Sequence, residues 1–325
     1  MERFFNAVQK LTERFLLWRK RRRFIKSEKQ KKKNFILDWL EAFLWAAGVV
    51  FLINQYLFQA YEIPSGSMSD TLLIKDRIFV NKFIYGPELL PGVVKLPGLT
   101  EPKRDEVIIF ESPAYISKGP IFDILQRIIY MLTLSLVNLD RGKSGEEKAH
   151  FLIKRAIGID GDRIRFNKIN GEMEIRPWGE IQWRTGENFE KFNPPLYKIR
   201  RILDQKDYQT IKEVGISEAY QYSRLTSPKE ASKAAEDLPA YYDRPVLAYW
   251  WNKTLFEINP QNRKYAGEWR KGEMGWYIPA GYIFPMGDNR DNSVDARVWG
   301  YVRKEKILGR AAFKYWPISR IGGLE

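Results

Sequence analysis

Two short segments carry side chains suited to hydrolytic chemistry. In Ile63-Pro64-Ser65-Gly66-Ser67-Met68-Ser69-Asp70-Thr71-Leu72, small residues around two serines let the backbone turn tightly and let a peptide come close. A serine hydroxyl attacks a carbonyl well only when a neighbouring group takes its proton. The second segment, FLIKRAIGIDGDRIRF at residues 151–166, sets Lys154 among Phe151, Leu152, Ile153, Ala156 and Ile157. Burial disfavours the ammonium form, and a pKa lowered by about two units raises the neutral fraction near pH 7 about a hundredfold. Such a lysine can serve as a base. Each segment alone also has a plain structural reading: S-G-S-M suits an ordinary turn, and a strand lysine can snorkel to water. A third segment, GDNRDNSVDARVWGYV at 287–302, is dense in Asp, Asn and Arg. It reads as a solvated loop held by ion pairs, and equally as a rigid polar scaffold behind the lysine.

Two absences narrow the chemistry. The chain has no cysteine, which excludes disulfides, thiol catalysis and Cys-ligated zinc. Its one histidine is His150, so an H-E-x-x-H zinc site is impossible and a Ser-His-Asp triad would have to use that residue.

The elements that must position these groups are mostly strands. RIFVNKFIYG, RDEVIIFE, FLIKRAIGIDGDRIRF, GWYIPAGYIFPMGD and LGRAAFKYWP carry β-branched and aromatic residues in short runs bounded by Pro, Gly and charges. Residues 196–239 differ: DYQTIKEVG and SPKEASKAAEDL read as helical or loose material. A second apolar stretch, 121–139, has Ile121, Leu125, Ile128, Leu132, Leu136 and Leu139 at helical spacing. Three readings stand for it: an amphipathic helix closing the core, a helix in the membrane interface, or a second crossing. A crossing would put Ser67 and Lys154 on opposite sides of the bilayer.

From Ile36 to Phe58 the chain is long and apolar enough to span a hydrocarbon core of roughly 30 Å. Trp39, Trp45 and Tyr56 lie toward its ends, and no convincing small-x-small cleavage site follows it, so it reads as a retained anchor. The net charge of +14 is concentrated ahead of it: residues 1–35 hold 13 Lys and Arg against Glu2, Glu13 and Glu28. Only +4 remains for the other 290 residues, so a nucleic-acid footprint on the body is poorly supported. The positive-inside rule places the N-terminus in the cytoplasm and the body, from about residue 59, on the far side.

With the three segments in this order behind an anchor, the chain resembles the bacterial type I signal peptidases, or leader peptidases. The motifs are S-G-S-M with a following T-L, K-R-A-x-G with G-D, and G-D-N-R-D-N-S-x-D-x-R-x-W-G. The resemblance covers the anchor and residues 61–110, 150–166 and 282–317. It implies a mainly β, membrane-anchored fold with a variable inserted region: a basic segment 1–35, anchor 36–58, core 59–166 with an apolar insertion at 112–149, insert 167–281 and core 282–325. It implies Ser67 as nucleophile, Lys154 as general base, and Ser65 with the Ser67 amide as the oxyanion hole. By the same resemblance Ser293 orients the lysine, and Arg155, Asp288, Arg290, Asp295 and Arg297 support the arrangement. Tyr61, Ile63, Met68, Leu72, Leu152 and Ile153 match positions lining shallow pockets for the small side chains one and three residues before the cut. The implied substrates are secretory preproteins, at the outer face of the inner membrane, with no metal or organic cofactor. Two positions depart from the family: Asp70 and Asp160 stand where proline is common, so a backbone restraint close to the nucleophile is lost.

Three other functions compete with this reading. One is a membrane-tethered binding protein that keeps the motifs without activity; another is a Ser-Lys self-cleaving repressor-type protease, soluble and DNA-linked; the third is a hydrolase built on His150.

Overall fold

The computed structural model describes residues 12–24, 35–90, 94–113, 115, 117–133, 137, 139, 150–185, 200, 202–228, 237–238, 240 and 242–324. The chain divides into two units, Met1–Leu52 and Ile53–Glu325. In the first, residues 12–24 are helical (α1) and Phe35–Tyr56 opens a 22-residue helix, α2. At about 1.5 Å per residue α2 is roughly 33 Å long, and Phe35, Trp39, Phe43, Trp45 and Leu52 are exposed along it. It stops short of the expected residue 58. Asn54 and Gln55 are buried, Gln55 donates to the Glu88 carbonyl at 2.7 Å, and Phe58 already belongs to the first strand.

The second unit is mainly β, in agreement with the strand texture of the sequence. Its large sheet contains β1 (Phe58–Glu62), β2 (Arg77–Asn81), β5 (Val107–Glu111), β6 (Phe151–Gly158), β11 (Tyr282–Met286), β12 (Val302–Arg303) and β13 (Ile307–Trp316). The order is β1-β2-β13-β5-β6-β11-β12, every pairing antiparallel, and β14 (Gly322–Gly323) adds to β13. A short pair, β3 (Glu88–Leu90) with β4 (Val94–Lys95), stands apart.

Strand β5 shows why the run VIIF is strand and not helix. Its first four residues are buried, and successive side chains serve different cores: Val107 and Ile109 join Ile63, Met68 and Ile153, whereas Ile108 and Phe110 join Ala156, Ile283 and Ile307. Period-two alternation on a strand covered on both faces produces this division. Strand β6 pairs with β5 residue for residue, setting Lys154 opposite Ile108 and Arg155 opposite Val107. Lys154 is thus fixed in the middle of the sheet.

A smaller sheet, β10-β7-β8-β9, uses Trp276–Tyr277, Arg163–Phe166, Met173–Arg176 and Arg184–Thr185. Beside it lie three helices: α4 (Gln205–Tyr222), α5 (Arg244–Ile258) and α6 (Arg263–Met274). Within the segment read as helical, DYQTIKEVG falls in α4, while residues 229–236 lie outside the described residues. The sequence reading did not assign α5 and α6. Tyr208 and Ile211 of α4 pack on Val246 of α5.

Among the described residues of the apolar stretch 121–139, the helix is Pro120–Leu132, α3. At about 20 Å this is too short for a crossing. Its packing also departs from the expected stripe. Leu125 is exposed, while Gln126 and Arg127 are buried, because Arg127 bridges Glu111 (2.6 Å) and Glu88 (3.3 Å). Tyr130 packs on Tyr61 with ring centroids 6.0 Å apart, so α3 helps to close the core. Leu139 lies past the helix and is exposed; Leu136 and residues 140–149 are outside the described residues.

Candidate active site

A 3-10 turn, Gly66–Met68, carries Ser67 off the end of β1, and fully buried Met68 anchors it in the core. Lys154 Nζ donates to Ser67 Oγ at 2.5 Å. Both residues are buried, Lys154 at 3 % exposure and Ser67 at 6 %. Burial drives the Lys154 pKa down to about 8, with Arg297 pushing the same way and Asp295 and Asp288 opposing. The pair is therefore a hydroxyl against an amine whose neutral form is accessible near physiological pH. Ser65 Oγ, solvent-facing, lies 3.4 Å from Ser67 Oγ.

The polar loop that follows β11 locks this turn from behind. Asn289 donates through its amide to the Ser67 carbonyl (3.1 Å) and through Nδ2 to the Gly66 carbonyl (3.0 Å). Asp288, fully buried, takes both Nε (2.9 Å) and Nη2 (2.7 Å) of Arg155 and accepts the Thr71 hydroxyl at 2.6 Å. Adjacent residues of β6 thus do different work: Lys154 meets Ser67, and Arg155 ties strand to loop. Asp295 accepts Nε (2.9 Å) and Nη2 (3.2 Å) of Arg297 and the Gly287 amide (3.0 Å). Burial opposes its ionisation, yet Arg297, the Gly287 amide and Ser293 hold its carboxyl below the usual range. Arg290 is the largest fully buried side chain, with Nη1 against the sulfurs of Met286 (3.8 Å) and Met173 (4.0 Å).

Most of the residues singled out in the sequence converge here. Tyr61, Ile63, Met68, Leu72 and Ile153 form one buried cluster beside the turn; Leu152 instead packs with Phe110 and Ala156 in another. Ser293 is the main difference. It makes no hydrogen bond to Lys154, and its Oγ lies 2.3 Å from the place a Gly287 Cβ would occupy, beside the Ser67 carbonyl at 2.5 Å from that point. Asn289, Thr71 and Gly287 were not singled out individually, although all three stand inside the quoted motifs. His150 serves another part of the fold. Its Nε2 is 3.0 Å from Arg127 Nη2 and its ring stacks on Tyr115 at 3.8 Å.

The two departures from proline have different physical outcomes. Asp70 has φ +80°, a left-handed conformation closed to proline, so the turn follows a path of its own, and Asp70 lies 3.9 Å from Arg200. At Asp160, a turn with φ +83° at Gly161 and Asp162 N bonded to the Ile159 carbonyl would accept proline. The aspartate there pairs with Lys304 at 2.8 Å. Among the described residues no group of His, Asp and Glu side chains could hold a metal ion.

Comparison with known proteins places the chain among serine endopeptidases. The family model described as "Signal peptidase, peptidase S26" matches residues 36–316, so the chain belongs to the signal peptidase family, whose role is removal of signal peptides. Similar relatives include "Signal peptidase I" of Haemophilus influenzae, 29% identical over 309 residues, covering 90% of this chain and 74% of that protein. "Signal peptidase I" of Aquifex aeolicus is 29% identical over 283 residues, 85% of this chain and 82% of its own. That of Buchnera aphidicola subsp. Acyrthosiphon pisum is 26% identical over 298 residues, 90% and 78%.

Proposed function

We propose that this protein cuts secretory preproteins after small-x-small sites, with Ser67 as nucleophile and Lys154 as general base. The observation that carries the reading is the buried Lys154–Ser67 contact at 2.5 Å. Neutral Lys154 takes the Ser67 proton as Oγ attacks the scissile carbonyl, and the ammonium then protonates the leaving amine. Water, activated by the same amine, releases the signal peptide from the acyl-enzyme. Ser65 Oγ and the Ser67 amide stabilise the oxyanion. Tyr61, Ile63, Met68, Leu72 and Ile153 form the apolar wall that favours small side chains, with Leu152 on the neighbouring face of β6. Arg155, Asp288, Arg290, Asp295 and Arg297 hold the loop, and Ser293, beside the turn, is the residue that the family resemblance assigns to orienting Lys154. Residues 167–281 are the variable insert, and neither metal nor organic cofactor enters the reaction.

The test is cleavage of a preprotein bearing an Ala-x-Ala site by detergent-solubilised protein, read by intact mass. Cleavage after the second alanine is expected. With a base whose pKa is about 8, kcat/KM should fall about tenfold per pH unit below that value and level off above it. A profile that is flat from pH 6 to 9 would contradict a lysine base.

The α2 helix is the bilayer anchor, with the basic N-terminus in the cytoplasm and the body outside the inner membrane. Protease added to spheroplasts should degrade the body and spare the first 35 residues; a protected body would reverse the orientation.

A further inference from the structure

The helices α4 and α5 are wired to the loop at 287–302 by two connections, one through the backbone and one buried and ionic. The backbone of Arg200 bridges to the loop, its amide donating to the Asp288 carbonyl (2.9 Å) and its carbonyl accepting from the Arg290 amide (3.1 Å). Asp291 then accepts the amides of Ile202 (2.5 Å) and Leu203 (3.2 Å), just ahead of α4. The second connection is ionic. Arg297 grips Asp295 with two nitrogens and presents Nη1 to the Asp243 carboxylate at 3.7 Å, both side chains being no more than 2 % exposed. Asp243 is the N-cap of α5, accepting the Val246 amide at 3.3 Å, and it also meets the Tyr208 hydroxyl of α4 at 3.5 Å.

We propose that Asp243 is a positioning residue for the reaction: by sharing Arg297 with Asp295, it fixes the charge and place of the carboxylate that stands behind Lys154. The proposal rests on Lys154 acting as the base. The groups facing Lys154 are Ser67 from the turn and Asp288, Asp295 and Arg297 from the loop; those facing Arg297 are Asp295, Asp291 and Asp243. Without the Asp243 carboxylate, one counter-charge to Arg297 is gone. The less fully compensated guanidinium then disfavours the Lys154 ammonium, and Lys154 loses its proton at lower pH. A role confined to starting α5 would not do this.

The test uses the full chain with Asp243→Asn and Asp243→Ser, both side chains able to cap a helix, and Asp243→Glu, which keeps the charge. The expected result is an acid limb of kcat/KM displaced downward by about half a pH unit in the Asn and Ser variants and unmoved in the Glu variant. Their plateau kcat should fall about tenfold as the loop loosens, with KM within about twofold. An acid limb unmoved in Asp243→Asn overturns the proposal, whether or not the rate and melting temperature fall. The same pKa is read without turnover by competitive acetylation of Lys154 against pH, quantified by mass spectrometry. If the native protein cleaves no preprotein, the proposed function fails, and the acetylation curve still decides the role of Asp243.

Discussion

Lys154→Ala should lower kcat for preprotein cleavage by about three orders of magnitude or more and leave KM within a few-fold, because a general base acts in the transition state and not in binding. Ser67→Ala should do the same. The double variant should be no worse than either single one, since nucleophile and base work as a unit. Lys154→Arg should fail to rescue: the guanidinium keeps its proton, and the 2.5 Å contact with Ser67 has no room for a fork of nitrogens. Single-turnover cleavage measured with each variant checks all four statements. More than a tenth of native activity in Lys154→Ala would remove lysine from the mechanism. His150→Ala is the counterpart control. With His150 committed to Arg127 and Tyr115, its loss should spare the chemistry, and abolished cleavage would instead favour a histidine base.

Gly287→Ala should also be damaging, for a steric reason. A Cβ on Gly287 would stand 2.3 Å from Ser293 Oγ, 2.5 Å from the Ser67 carbonyl oxygen and 2.7 Å from Ser293 Cβ. Carbonyl and loop must part, and the carbonyl is the one that Asn289 holds. Misplacement of the nucleophile by about 1 Å is worth roughly a hundredfold in rate, so kcat should fall by about that factor while the fold persists. Far-UV circular dichroism beside kcat separates the two effects. Native kcat in a folded Gly287→Ala protein would mean that the loop has slack at this point.

The site was legible in the sequence where chemistry is local. Ser67 lies in a short run of small residues, and Lys154 is one of two adjacent cations in an apolar strand, each readable within ten residues. The loop at 287–302 showed its density of charge but not its pairings, because Arg155 to Asp288 and Asn289 to Ser67 join residues far apart in the chain. Asp243 was invisible for the same reason. Helix α5 was missed through its composition: RPVLAYWWNKTLF is rich in aromatics and resembles strand, although Asp243 at the cap and Pro245 in the first turn were start signals. The α3 stripe misled in another way. Periodicity gave the helix and an apolar stripe of isoleucines and leucines, but Leu125 of that stripe is exposed, whereas Arg127 with its two carboxylate partners is buried.

The burial of Lys154 also links folding to proton release. Its pKa is about 8 in the folded chain and about 10.4 when the chain is unfolded. Between those values the unfolded state carries a proton that the native state lacks, so stability rises with pH through this window. Below about pH 8 the native state bears the full cost of keeping an ammonium out of water, at most about 3 kcal/mol. A thermodynamic weakness at neutral pH is therefore inseparable from the reactivity proposed for Lys154, and it shrinks under the alkaline conditions where this amine is fully deprotonated.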